Sequence, residues 1–336
     1  MLSVAVIGAG RIGQIHAANL AARAAETNDV RLAGICDAVE VAAATLATRL
    51  GAPVISLDEA LEGKGSNAVL IASPTDTHSD FIERAAKAGK AIFCEKPVDM
   101  SAQRIEGVLE VVKAAGVPLF IGFNRRFDPN FASLRARIAE GRIGEVELVT
   151  ILSRDPSPPP VSYIERSGGL FRDMMIHDFD MARFLLGDEP VEVHAVGSAL
   201  VDPEIGKAGD VDTAAVLLKT ARGKICQISN SRRATYGYDQ RVEVHGSLGL
   251  LRAGNQHETT VELATASGFT ADPVQNFFLE RYAQAYRLQL AAFIDCARGT
   301  TLPSPSGHDG LMAQRLADAA TLSAQSGEPV RLWGGP

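Results

Sequence analysis

What this chain lacks narrows it first. It has only four cysteines in 336 residues, Cys36, Cys94, Cys226 and Cys296. They are scattered, three of them inside apolar runs. No C-x-x-C pair and no Cys/His cluster with metal-ligand spacing occurs, so no disulfide framework and no metal centre is expected. The thiols are expected to be reduced and buried, in a cytoplasmic protein. No Lys/Arg-rich run occurs either, and the formal net charge is −7. That argues against nucleic acid or an anionic membrane as the partner. No apolar stretch is long enough to span a bilayer. The first residues already read as a strand, so no leader peptide is expected. Internal repeats and low-complexity linkers are absent too. What remains is 46% hydrophobic and 22% charged, enough to bury substantial cores, and long enough for two domains.

The N-terminus carries a recognisable pattern. Val4 to Ile7 is a short apolar run, Gly8-Ala9-Gly10-Arg11-Ile12-Gly13 follows, and a helical pattern runs from Ile12 to about Ala25. This is G-x-G-x-x-G between a strand and a helix, the setting in which it binds dinucleotides. Gly8 permits a tight turn, Gly10 lets a pyrophosphate approach the backbone, and Gly13 lets helix and strand pack closely. The helix N-terminus offers N–H groups and a positive dipole end to the phosphates. The next apolar run, Val30 to Cys36, ends at Asp37. An acid there accepts hydrogen bonds from ribose hydroxyls and repels a 2′-phosphate, which favours NAD over NADP.

Strands and helices then alternate to about residue 123, which predicts a parallel sheet with helices on both faces. Ligands in such sheets lie beyond the carboxyl ends of the strands. Ser73, Pro74 and Thr75 follow the expected strand Ala68 to Ala72, and Glu95, Lys96 and Pro97 follow Ala91 to Cys94. Lys96 at such a mouth can polarise a substrate hydroxyl and steady alkoxide character; it can equally form a salt bridge at the strand end, with Glu95 as partner. His78 either reaches the nicotinamide region or simply starts the next helix.

A second concentration of chemistry lies at residues 168 to 180, Gly-Gly-Leu-Phe-Arg-Asp-Met-Met-Ile-His-Asp-Phe-Asp. Asp173 and His177 are four apart, and on one helix they would share a face. A carboxylate with an imidazole suits proton transfer near neutral pH, although such pairs also occur on solvated helices. Pro156 and Pro158 to Pro160 forbid regular structure just before. Asp128-Pro129 reads as the cap and first turn of a helix ending near Gly141. Beyond Gly187, strand-like runs at 191–198, 212–219, 223–229, 240–245, 249–252 and 259–264 suggest an antiparallel sheet. Helices are expected over 277–296 and 309–324, with 330–332 at a sheet edge. The expected fold class is α/β. A Rossmann domain spans 1–123, and an α+β domain with a large, mostly antiparallel open sheet spans 124–336.

On these motifs the chain resembles the Gfo/Idh/MocA family of dinucleotide-dependent oxidoreductases. The matching residues are the glycine fingerprint, Ser73-Pro74-Thr75, Glu95-Lys96-Pro97 and Asp173-x-x-x-His177-x-x-Asp180. Phe123-Asn124-Arg125-Arg126-Phe127-Asp128, Ser153-Arg154-Asp155-Pro156 and Gly168 to Asp173 resemble the inositol-oxidising members. The resemblance implies a catalytic set of Lys96, Asp173 and His177, and a second domain whose open sheet builds a homotetramer.

The expected reaction is therefore NAD-dependent oxidation of a secondary hydroxyl of myo- or scyllo-inositol, with His177 as general base, Asp173 holding the geometry and Lys96 stabilising the oxygen. Arg126, Asp155, Tyr236 and Tyr238 are candidates to line a polyol site. Arg126 could instead pair with Asp128, and the tyrosines could pack at the sheet edge. A sugar dehydrogenase acting on a hexopyranose such as glucose stays open as a second reading. A non-enzymatic NAD sensor is a third, against which the intact Lys96, Asp173 and His177 stand.

Overall fold

The computed structural model describes residues 1–332, apart from the side chain of Glu165. β1 (Leu2–Ile7) is buried along its whole length, as a strand covered on both faces must be. It is followed by α1 (Arg11–Glu26), β2 (Val30–Cys36), α2 (Glu40–Leu50), α3 (Leu57–Leu61), β3 (Ala68–Ile71), α4 (His78–Lys87), β4 (Ala91–Cys94), α5 (Ala102–Ala115) and β5 (Leu119–Ile121). The strand order is β2-β1-β3-β4-β5, and every pairing is parallel. This is the expected doubly wound sheet. β3, β4 and β5 are as fully buried as β1, which explains why they read as unbroken apolar runs.

The chain divides into two compact units, Met1–Asn124 with Ala285–Gln314, and Arg125–Gln284 with Arg315 onward. This division differs from the expected boundary after residue 123 chiefly in Ala285–Gln314, which cluster with the first unit. The reason lies at the free edge of β5. The Ile121 N–H donates to the Pro305 carbonyl at 3.0 Å, so the returning segment satisfies main-chain groups that the edge leaves open. Phe293 also stacks edge-on against Phe93 and Phe120, with centroids 5.5 and 6.0 Å away.

The second unit begins with α6 (Pro129–Ala139), capped as expected by the Asp128 carboxylate. Then come β6 (Val146–Arg154), α7 (Val161–Ser167), α8 (Gly169–Asp173), α9 (Ile176–Leu186), β7 (Pro190–Ser198), α10 (Pro203–Lys207), β8 (Thr213–Thr220), β9 (Ile225–Ser231), β10 (Asp239–Gly246) and β11 (Gly249–Ala253). β12 (Glu262–Thr265) and β13 (Gly268–Ala271), α11 (Phe278–Arg281), α12 (Ala283–Ala297), α13 (Gly307–Ser326) and β14 (Val330–Arg331) complete the order. The last four residues of the expected second domain, 333–336, lie outside the described residues.

Seven strands form one sheet in the order β11-β10-β6-β9-β8-β7-β14. It is antiparallel except for the parallel pair β6–β9. One face is covered: Val193, Leu218, Cys226, Val149 and Val244 oppose one another in register and are all buried. The expected run 259–264 does not join this sheet. It contributes instead to the separate hairpin β12–β13, whose residues are exposed on both sides. The expected helix 277–296 is broken at Tyr282, whose side chain is buried against Tyr238.

Candidate active site

In the first unit, the glycine loop has the shape its sequence implies. Gly8 adopts φ +104° and donates its N–H to Cys36 O at 2.8 Å. A Cβ there would run into the Ala72 carbonyl, and one at Gly13 would collide with the Gly8 carbonyl. Gly10 faces open space, with nothing within 4 Å of a built Cβ. It precedes α1 with no side-chain cap and no acid in the first turn, the arrangement that suits an incoming anion. Asp37 accepts the Ala9 N–H at 2.6 Å through one oxygen and the Val39 N–H at 2.8 Å through the other. Its carboxylate is thereby fixed beside the glycine loop, where the fingerprint requires an acid. These residues fit a dinucleotide.

The loops after β3 and β4 are tied together. Ser73 Oγ shares a hydrogen bond with Thr77 Oγ1 at 2.6 Å. His78 does open α4, but it does not reach outward: it is 1% exposed. Its Nδ1 lies 2.8 Å from Pro97 O and its Nε2 2.9 Å from Ser73 O. Both nitrogens face main-chain carbonyls, so the placement of His78 among cofactor-contacting residues is corrected. Burial holds its imidazole pKa below the usual value. The Glu95 carboxylate lies 2.6 Å from His16 Nε2, and its other oxygen accepts the Lys96 main-chain N–H at 3.3 Å. Gly122 makes room for it, since a Cβ there would come within 2.7 Å of Glu95 Oε2.

In the second unit, Asp173 and His177 do not share one helix. α8 ends at Asp173 and α9 starts at Ile176, with Met174 and Met175 between them, so the one-face argument from a spacing of four does not hold. Asp173 instead accepts a hydrogen bond from Tyr163 OH at 3.1 Å and lies 3.7 Å from Arg232 Nη2. Arg232 is 1% exposed, and its Nε and Nη2 make no hydrogen bond. Asp155 follows β6 and donates its N–H to Ser231 O at 3.0 Å. Burial pushes its carboxyl up to about 6, against the opposing pull of Arg232 and Arg125. All of α9 is buried except His177 and Phe184, which are seven apart and so on one side of that helix.

The arginines resolve differently from expectation. Arg126 does not pair with Asp128. It forks onto Asp180 at 2.8 and 2.6 Å and is nearly buried, which makes it a strut between α9 and the start of the unit rather than a polyol ligand. Asp128 pairs with Arg281, and Arg125 with Asp178. Tyr236 is half exposed and donates to Asp239 at 2.6 Å. Tyr238 is buried, as the packing reading has it. Sequence reasoning missed His16, Tyr163 and Arg232. His16 adjoins the glycine fingerprint, but its partner is 79 residues away; Arg232 gives no signal at all. Among the described residues, no cluster of His, Cys, Asp or Glu could hold a metal ion, and no helix is long and apolar enough to cross a membrane.

An open glycine loop, an uncapped helix end and a fixed acid on a five-stranded parallel sheet define a dinucleotide-binding protein. The chain belongs to the Gfo/Idh/MocA oxidoreductase family: residues 2–123 match its NAD-binding Rossmann fold and residues 135–332 its C-terminal alpha/beta domain. Its cofactor is NAD. The chain is 54% identical over 318 residues to the inositol 2-dehydrogenase of Rhizobium meliloti (strain 1021), covering 95% of both chains. It is 46% identical to the myo-inositol 2-dehydrogenase of Thermotoga maritima, covering 98% of both. Among solved structures it resembles the scyllo-inositol dehydrogenase of Lactobacillus casei with bound NAD(H) and scyllo-inositol. That match has a TM-score of 0.91 and 28% identity, and covers 99% of each chain.

Proposed function

We infer that this protein oxidises one secondary hydroxyl of an inositol, myo or scyllo, to the keto-inositol. The observation that carries the reading is 54% identity over 95% of both chains with an inositol 2-dehydrogenase. Bound NAD supplies the hydride acceptor. His177 takes the hydroxyl proton as general base. It suits that role as one of only two residues of α9 that are not buried. Asp173, held by Tyr163 and beside Arg232, orients the reacting groups. Lys96 at the end of β4 steadies negative charge on the substrate oxygen. Asp155 and Tyr236 are the remaining polyol-binding candidates.

The protein is proposed to work as a homotetramer in the cytoplasm. The bare face of the seven-stranded sheet, with Val196 57% and Leu217 51% exposed, supports association, and the four free, buried thiols suit a reducing compartment. The test is NADH formation from myo-inositol, scyllo-inositol, D-chiro-inositol and D-glucose, with NAD and NADP compared. Turnover of an inositol with NAD is expected. Turnover of glucose alone would replace the substrate assignment with a hexopyranose. His177→Ala is expected to lower turnover about 10²-fold or more while NAD binding persists; unchanged turnover would remove His177 from the chemistry.

A further inference from the structure

Two histidines on different helices close on one tripeptide. His16, inside α1, is 0% exposed and meets the rings of Phe93 and Tyr286 edge-on, with centroids 4.9 and 5.6 Å away. Its Nε2 is 2.6 Å from Glu95 Oε1. His78, the first residue of α4, is also buried, with Nδ1 2.8 Å from the Pro97 carbonyl. Glu95 and Pro97 are the two neighbours of Lys96. A phenylalanine would satisfy the aromatic surroundings of His16 without the cost of burying a polar ring, so packing alone does not account for the imidazole there.

The geometry points to His16 and His78 as positioning residues for Lys96. One fixes the side chain before it, the other the carbonyl after it. The inference rests on the reading of Lys96 as the group that steadies the substrate oxygen. A lysine side chain is long and flexible, so the accuracy of its head depends on how firmly its main chain is held. Both ties come from elements of the same unit: α1, which follows the glycine fingerprint, and α4, whose His78 Nε2 also faces the Ser73 carbonyl at 2.9 Å. Neither ring is exposed, so neither is placed to touch substrate.

Matched amide variants separate this role from packing, because a glutamine nitrogen stands near the Nε2 position and an asparagine nitrogen near Nδ1. His16→Gln keeps a donor for Glu95 and His16→Asn does not. His78→Asn keeps a donor for the Pro97 carbonyl, whereas His78→Gln turns its donor towards Ser73 instead. The expected result is a split within each pair. H16N and H78Q lose about 10-fold to 10²-fold in kcat for the polyol, H16Q and H78N lose less, and NADH affinity changes little in all four.

Equal losses within each pair, or losses confined to NADH affinity, would overturn the inference. Glu95→Ala provides an independent arm should a histidine variant fail to fold. It should reproduce the kcat loss of H16N, and the double variant should be no worse than either single one; additive losses would also overturn the inference. Lys96→Ala separates the two levels. Full turnover in K96A defeats the reading of Lys96 itself, whereas an inactive K96A with no split between the pairs defeats only the positioning roles.

Discussion

Burial pushes the Asp155 carboxyl up to about 6, and Arg232 and Arg125 only partly restrain it. A carboxyl whose folded pKa is raised contributes stability that is fully present below its unfolded pKa. That contribution is lost as the pH rises through the folded value. Asp155→Asn removes this titration. Relative to the parent, the variant should therefore gain stability between about pH 4 and pH 7, read as the difference in urea-unfolding free energy at the two ends. A difference that stays constant across that window would mean that Asp155 is not held protonated by its surroundings. At this scale the sequence identified the acid beside the glycine loop, Asp37, but not the main-chain groups that hold it. Arg126 chose Asp180 over the nearby Asp128 because α9 brings Asp180 to it across 54 residues. His16 likewise meets a residue distant in the chain, Glu95, 79 residues on.

α9 shows how elements hold charged residues in place. Asp178 and Asp180 are buried at 0% and 1% exposure and are paired with Arg125 and Arg126. Asn230 adds a hydrogen bond to Asp178 at 3.0 Å, and Ser153 accepts one from Arg125 at 3.2 Å. Breaking a buried pair leaves an uncompensated charge, so Asp178→Asn should destabilise the protein by about 3–5 kcal/mol, measured by denaturant unfolding. A loss below about 1 kcal/mol, the range of exposed pairs, would show that Ser153 and Asn230 take over the arginine. The helix breaks at Met174–Met175 and at Tyr282 were not legible, because apolar periodicity continues through both and only packing stops the helix. α7 was hidden by the prolines before it: Pro160 precedes its first residue, a place where proline's fixed φ suits a helix start.

Across the molecule, the feature with the clearest consequence is the bare face of the seven-stranded sheet. His194, Leu217, Gln227, Thr150 and Glu243 oppose one another in register on that side. Antiparallel sheets commonly leave one face wet, and on this one Val196 and Leu217 are exposed apolar side chains that the proposed association would cover. The double variant Val196→Glu, Leu217→Glu should reduce the proposed tetramer to smaller species in sedimentation. A parent protein that already sediments as a monomer would refute the tetramer.

The sequence by itself determined the five-stranded parallel unit and its glycine loop, because strand, turn and helix signals there are local and follow one another within a few residues. It also indicated that the later strands form an antiparallel sheet, from the turn residues that separate them. Tertiary structure alone decided that Ala285–Gln314 returns to the first unit, that β12 and β13 stand apart, and that two buried histidines flank Lys96. Each of these depends on which main-chain edge or buried polar atom needs a partner, and that need is met by residues far away in the chain.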